Sequence, residues 1–215
     1  MKSRIVLLGP PASGKGTQAE LIAARHGLPI TSPGAMLREE KRAGTPLGVE
    51  ADKLTSQGKL MPDDLIVGLV SHWLKQHDGG FIFDGFPRSL VQARALEELL
   101  AARGTPLDAV ILLEADLETL QTRVAGRLVC GKCGQIVSVG LQVSQSTDCC
   151  PRCGGELGRR TDDTPEVLAA RLVEYTEKTL PLIEFYLARG ILQPVDSTNH
   201  PDVVFAAVQA ILEAA

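Results

Sequence analysis

The segment Gly9-Pro10-Pro11-Ala12-Ser13-Gly14-Lys15-Gly16-Thr17 has the residue types of a phosphate cradle. A glycine, four residues and then Gly-Lys is the spacing of a P-loop. Here Gly16 follows the lysine where the common form has Ser or Thr, and Thr17 comes one position later. The chemistry explains the types. A phosphate must reach bare backbone N–H groups, so side chains are small, and the partial positive charge of a helix N-terminus favours the anion. Lys15 adds a full charge that can follow a phosphoryl group as it moves. A glycine-rich turn that binds nothing is the alternative. It would not need the apolar run just before the loop and the helical pattern just after it, and both are present.

A second set of residues suits a second phosphate. Arginine forks bind phosphate bidentately and stay charged. Arg38 ends Met36-Leu37-Arg38, and Arg88 ends Asp84-Gly85-Phe86-Pro87-Arg88. The latter follows a strand-like run, where ligands of open α/β sheets bind. Arg123 and Arg127 are four apart, a spacing that puts them on one helix face. Arg159-Arg160-Thr161-Asp162-Asp163 and Arg171 follow a cysteine-rich segment. Singly, each could be a surface charge; as a set around one insertion they suggest a polyanion.

The five cysteines are Cys130, Cys133, Cys149, Cys150 and Cys153. Cys130-x-x-Cys133 and Cys150-x-x-Cys153 have four-thiolate zinc spacing, with glycines beside each pair to allow tight knuckles. A closed four-ligand site leaves no open position for chemistry, so the expected role is structural: metal binding folds a segment too polar to build a core. The wider gap from Cys149 to Cys153 makes Cys149 a bystander or alternative ligand. Two redox pairs are the competing reading.

Strands must alternate with helices to position these groups. Ile5 to Leu8, Phe81 to Phe83, Val110 to Leu113 and Ile191-Leu192 read as short strands. Helices fit Lys15 to His26, Leu90 to Arg103 and Leu117 to Arg127. Thr164 is a helix N-cap with Pro165 in the first turn, and that helix should run to about Arg189 with a kink or division at Pro181. A last helix begins near Pro201. The pattern predicts an α/β fold with a mainly parallel sheet covered on both faces. Residues 31 to about 60 look wholly helical, and residues 129 to 160 show little helical periodicity. Both read as insertions on the core.

Composition is consistent with this. The chain has 215 residues, 44% of them apolar and only 4% aromatic, so the core must be mostly Leu, Val, Ile and Ala. A net charge of −4 argues against a general nucleic-acid binder. The apolar run after Lys2 and Arg4 breaks at Gly9-Pro10-Pro11, and no stretch approaches a membrane span, so a protein of the cytoplasm is expected.

Gly-Lys-Gly-Thr together with Asp-Gly-Phe-Pro-Arg resembles the nucleoside monophosphate kinases, adenylate kinases above all. The resemblance runs from Ile5 to the final helix. It implies a P-loop NTPase-type core (1–30, 62–126 and 164–215), a helical insertion that binds the monophosphate (31–61) and a zinc-binding lid (127–163). It implies transfer of a phosphoryl group from Mg-ATP to AMP, giving two ADP, by a monomer. By the same resemblance Lys15, Arg38, Arg88, Arg127, Arg160 and Arg171 gather the phosphates, and Asp84 orders water around Mg²⁺. ATP would lie against Ala12, Ser13, Gly14, Lys15, Gly16 and Thr17, with Arg123, Arg127, Ile136, Val137 and His200. AMP would meet Pro33, Arg38, Lys59, Leu60, Met61, Gly85, Phe86, Pro87, Arg88 and Gln92, with Arg160 and Arg171 shared. Asp162 and Asp163 would act in lid closure. The chain departs from the family pattern in places. Ala12 replaces a loop glycine. Pro33 and Ala35 replace a threonine, whose hydroxyl touches the acceptor base, and an aspartate; Gln92 still favours adenine. Ile136-Val137 stands where a tyrosine-containing pair is common. A kinase for UMP or CMP on the same fold is one alternative; a non-catalytic nucleotide-binding module with a zinc ribbon is another.

Overall fold

A computed structural model describes residues 1–50, 61–139, 149–159 and 163–214. Its centre is a five-stranded, wholly parallel sheet. The strands, in chain order, are β1 (Arg4–Leu8), β2 (Ile30–Thr31), β3 (Phe81–Asp84), β4 (Ala109–Glu114) and β8 (Leu192–Asp196). Their spatial order is β2-β3-β1-β4-β8.

Side-chain alternation along these strands divides the core into two layers. Val6 and Leu8, Phe81 and Phe83, and Val110 and Leu112 face one layer. Ile5 and Leu7, Ile82, and Ile111 and Leu113 face the other. The first layer is covered by helices α3 (Asp63–Gln76), α4 (Leu90–Ala101) and α7 (Pro181–Leu187). The second is covered by α1 (Lys15–His26) and α8 (Pro201–Glu213). The core is therefore aliphatic, as composition requires, except for a group on the first layer where Trp73, Phe81, Phe83 and Phe86 pack at angles.

Two local expectations need correction, and a third is met with added detail. The segment from residue 31 was read as lacking a core strand, yet Thr31 is buried in β2 and pairs with Phe83. Helix α2 (Pro33–Ala43) starts just beyond it, with Ser32 accepting from the Ala35 N–H as N-cap. The strand at Leu192 is longer than its apolar pair suggested and contains Pro194, which is tolerated because β8 is a sheet edge. The helix from Pro165 is divided before Pro181, as expected, into α6 (Pro165–Glu174) and α7, with a π-helical turn at Tyr175–Thr179 between them. Leu180 N–H bonds back five residues to Tyr175 O at 2.8 Å. Pro181 has no N–H to give the preceding turn, and widening that turn accommodates its ring.

The cysteine segment forms a separate antiparallel sheet of β5 (Arg127–Cys130), β6 (Ile136–Ser138) and β7 (Leu157–Gly158), ordered β6-β5-β7. Helix α5 (Leu117–Ala125) leads into it. Arg127 therefore does not share a helix face with Arg123, as its spacing suggested. Gly126 ends the helix and its carbonyl accepts from Val139 N–H at 2.9 Å, so Arg127 opens a strand instead. Among the described residues, no helix is long and apolar enough to cross a membrane.

Candidate active site and metal centre

The loop between β1 and α1 is shaped by close approach. A Cβ on Gly9 would lie 2.4 Å from Leu113 O on the neighbouring strand, so only glycine fits there. Ala12 has φ 67, the left-handed region. Its methyl group therefore carries a strain that glycine would avoid, about 1–2 kcal/mol. Ala12→Gly should raise the unfolding free energy by about 0.5–1 kcal/mol after the entropy gained by the unfolded chain is subtracted. Differential scanning calorimetry on the unliganded protein measures this; an unchanged or lower midpoint would contradict it.

Lys15 folds back over the loop. Its ammonium donates to Gly9 O at 2.9 Å and Pro10 O at 2.7 Å. Burial lowers its pKa to about 8, opposed by Asp84 and aided by Arg88 and Arg127. Asp84 ends β3 and its carboxyl is pushed upward by burial, against the pull of Lys15 and Arg88. A Cβ on Gly16 would sit 3.4 Å from Asp84 Oδ2. That is an ordinary van der Waals distance, so the helix start lies directly beside a carboxylate.

Two cavities open on the carboxyl side of the sheet. The first, about 230 Å³, is lined by residues Ala12 to Gln18, with Asp84, Arg123, Arg127 and Ile136. The second, about 350 Å³, is lined by Gly85, Pro87, Arg88 and Arg171, together with Gly9, Pro11 and part of α6. Ala12, Lys15 and Arg127 line both. The lysine of the first motif and the arginine of the second thus share one cleft, because β1 and β3 are adjacent strands with Leu7 opposite Asp84.

The other predicted residues are distributed unevenly. Arg123 donates to Ala12 O at 3.4 Å and to Ser197 O, tying the loop after β8 to the phosphate loop. Arg127 pairs with Asp163 at 3.5 Å. Arg88 donates from Nε to Gly85 O at 2.8 Å, and its N–H donates to Gln92 Oε1 at 2.8 Å. The Gln92 amide also donates to Asp63 at 2.6 Å, so both its ends are engaged inside the protein. Pro33 and Arg38 lie on α2, outside the walls of both cavities. Met61 packs against the first core layer, and the Phe86 ring is fully buried in it. Ile136 faces the first cavity while Val137, next along the strand, is buried on the opposite side. His200 caps α8 and approaches Asp202; its neighbours Asn199 and Pro201, not His200, line the cavity. Lys59, Leu60, Arg160 and Asp162 lie outside the described residues.

Sequence reasoning missed part of each wall. Ser138, Ser197, Asn199 and Val204 line the first cavity, and Glu174, Tyr175, Lys178 and Thr179 the second. The first group follows short or edge strands that carry weak signals. The second lies at the end of α6 (Glu174) and in the π-helical turn, for which Pro181 was the one available sign.

In the cysteine segment, Cys130, Cys133, Cys150 and Cys153 bring their Sγ atoms within 4.8 Å of one another. Cys130 and Cys153 are 3.5 Å apart, and Cys133 and Cys150 are 3.7 Å apart. Four thiolates around one Zn²⁺, with Zn–S about 2.3 Å, would have S···S of about 3.8 Å, so the set fits a tetrahedral zinc ion. The Cys133 N–H donates to Cys130 Sγ at 3.5 Å, which lowers the thiol pKa and favours the ligating form. Cys149 is exposed and bridges to Glu156, outside the four-sulfur group. The knuckle also touches the core: Gln135 donates to Glu20 on α1 at 3.2 Å.

A parallel sheet with a glycine-rich, lysine-bearing loop, and an arginine across the same cleft, defines an α/β protein of the P-loop class. Comparison with known sequences narrows the class. The sequence pattern of the family described as adenylate kinase matches residues 7–191. The adenylate kinase of Thermodesulfovibrio yellowstonii is 42% identical over 98% of this chain and 99% of its own length. That of Syntrophotalea carbinolica is 45% identical over 90% of each chain, and that of Rhizobium etli 44% identical over 97% of this chain and 98% of its own. The chain belongs to the adenylate kinase family.

Proposed function

We propose that the protein transfers the terminal phosphoryl group of ATP to AMP, giving two ADP, with ATP in the first cavity and AMP in the second. The observation that carries this is the shared wall: Lys15 borders both cavities, so two nucleotides bound there meet phosphate to phosphate. Family membership supports the choice of substrates.

The chemistry needs no protein nucleophile. An oxygen of the AMP phosphate attacks the γ-phosphorus as the bond to the ADP leaving oxygen breaks. The protein positions two polyanions in line and neutralises charge as it shifts. Lys15 is best placed to follow the moving group, and Arg127 faces both phosphates. Arg88 holds the acceptor phosphate, and Arg171 shares its wall. Arg38 and Arg160 are proposed to join this ring when the helical insertion (31–61) and the lid (127–163) close. Closure excludes water, which would otherwise accept the phosphoryl group. Mg²⁺, bound with ATP, would neutralise phosphate charge, and Asp84 is the carboxylate placed to hold its water shell. Zinc, held by Cys130, Cys133, Cys150 and Cys153, would keep the lid folded and take no part in transfer.

Turnover with AMP, UMP and CMP as acceptors at fixed Mg-ATP tests the assignment. AMP should give a kcat/KM at least about a hundredfold above the others, the discrimination expected when a polar base edge is read by hydrogen bonds. Equal rates with a pyrimidine monophosphate would reject it.

A further inference from the structure

Thr179 belongs to none of the motifs read from the sequence. It closes the π-helical turn between α6 and α7 and lines the second cavity beside Arg88. Its hydroxyl donates to the backbone carbonyl of Arg88 at 3.0 Å. The other two bonds that hold Arg88, from its N–H to Gln92 and from Nε to Gly85, are made within its own segment. Among the described residues, Thr179 is the partner that reaches Arg88 from a distant part of the chain, 91 residues away.

The π-helical turn explains how a helix presents that hydroxyl. A turn closed by an i to i+5 bond inserts one residue into the helical repeat. The repeat after it keeps Leu182 and Tyr186 buried in the first core layer. The end of α6 and the turn itself leave Glu174, Tyr175, Lys178 and Thr179 on the cavity wall. In an uninterrupted helix Thr179, Leu182 and Tyr186, three and four apart, would share one face; the inserted residue offsets the later positions from the earlier ones.

We propose that Thr179 is a positioning residue for the acceptor phosphate. By fixing the Arg88 carbonyl it anchors the backbone from which the guanidinium reaches, independently of the loop that carries Arg88. This rests on the reading that Arg88 holds the phosphate of AMP. The bond is solvent-accessible and water can partly replace it, so its loss is modest, about fivefold in the KM for AMP, in line with one neutral hydrogen bond.

The test compares the wild-type chain with Thr179→Val, Thr179→Ser and Arg88→Ala, measuring kcat and both KM values together with thermal midpoints. Valine keeps the branched shape and removes the hydroxyl; serine keeps the hydroxyl. The expected result is a KM for AMP raised about fivefold in Thr179→Val, with the KM for ATP within twofold, and recovery in Thr179→Ser. Should valine prevent folding, Thr179→Ala carries the same expectation. An unchanged KM for AMP, an equal rise in both KM values, or a serine variant as impaired as valine would each overturn the proposal. If Arg88→Ala raises the KM for AMP and Thr179→Val does not, the proposal alone fails. If Arg88→Ala leaves that KM unchanged, the acceptor-site reading fails with it.

Discussion

Lys15→Met is expected to lower kcat by about a thousandfold while leaving the unliganded fold at least as stable. The rate effect follows from removing a full charge from the phosphate loop at the wall that both cavities share. Single groups that stabilise developing charge in a preorganised site are worth about a hundred- to a thousandfold. The stability effect has a separate origin. Burial holds the Lys15 pKa at about 8 rather than 10.5, so the charged form is disfavoured by folding. Below about pH 8 the folded protein bears that cost in full. Between about 8 and 10.5 it sheds a proton that the unfolded chain keeps, the cost fades, and this contribution to stability rises with pH. Methionine removes the cost altogether. Bound phosphates should reverse the shift, so titration calorimetry with ATP near pH 9 should show proton uptake in the wild type and less in the variant. A variant turning over within tenfold of wild type would deny the lysine its role.

Removing zinc should unfold the lid and spare the core. Among the described residues of 127–159, the buried side chains are Cys130, Val137 and Cys150, and Val137 alone is an aliphatic of the ordinary core kind. A sheet with so little apolar burial cannot offset its own ordering entropy. Structural zinc supplies about 10–16 kcal/mol of apparent binding energy near neutral pH, which is enough. The knuckle also adjoins the wall of the first cavity. Cys130 N–H donates to Gln135 O, beside Ile136 on the cavity wall, and Arg127 begins the strand that ends at Cys130. A chelated protein, or Cys150→Ser, should therefore show a new low-temperature transition and a kcat/KM for ATP lowered more than about tenfold, with the main transition shifted little. One zinc per chain by elemental analysis is the companion result. Unchanged melting and turnover after verified metal loss would refute the structural role.

How much was legible beforehand depends on where the signal lies. Lys15 and Arg88 sit in short motifs at strand ends, and apolar runs of three or four residues announced those strands. Their shared cleft follows from strand adjacency, which local pattern does not encode. The glycine at 126 was the one mark that separates Arg127 from the helix of Arg123, and four-residue spacing alone suggested the opposite. The loop alanine was visible as a departure, but its left-handed backbone is a property of coordinates. Gln92 stood out by its place after the arginine motif, but its bonds to Asp63 and Arg88, partners 29 and 4 residues away, are visible only in the structure. The π-helical turn was hidden because an extra residue in a helix leaves the composition unchanged.

The adjacency of β1 and β3 has a further consequence. Neighbouring strands are held about 4.8 Å apart by their ladder of backbone bonds. The loop of Lys15 hangs from the end of one strand and the segment of Arg88 from the end of the other. The sheet is thus a ruler for the reaction. On the proposed reading, closure of the outer segments would set when the two nucleotides meet, while main-chain geometry that no surface substitution can stretch would fix the gap to be crossed.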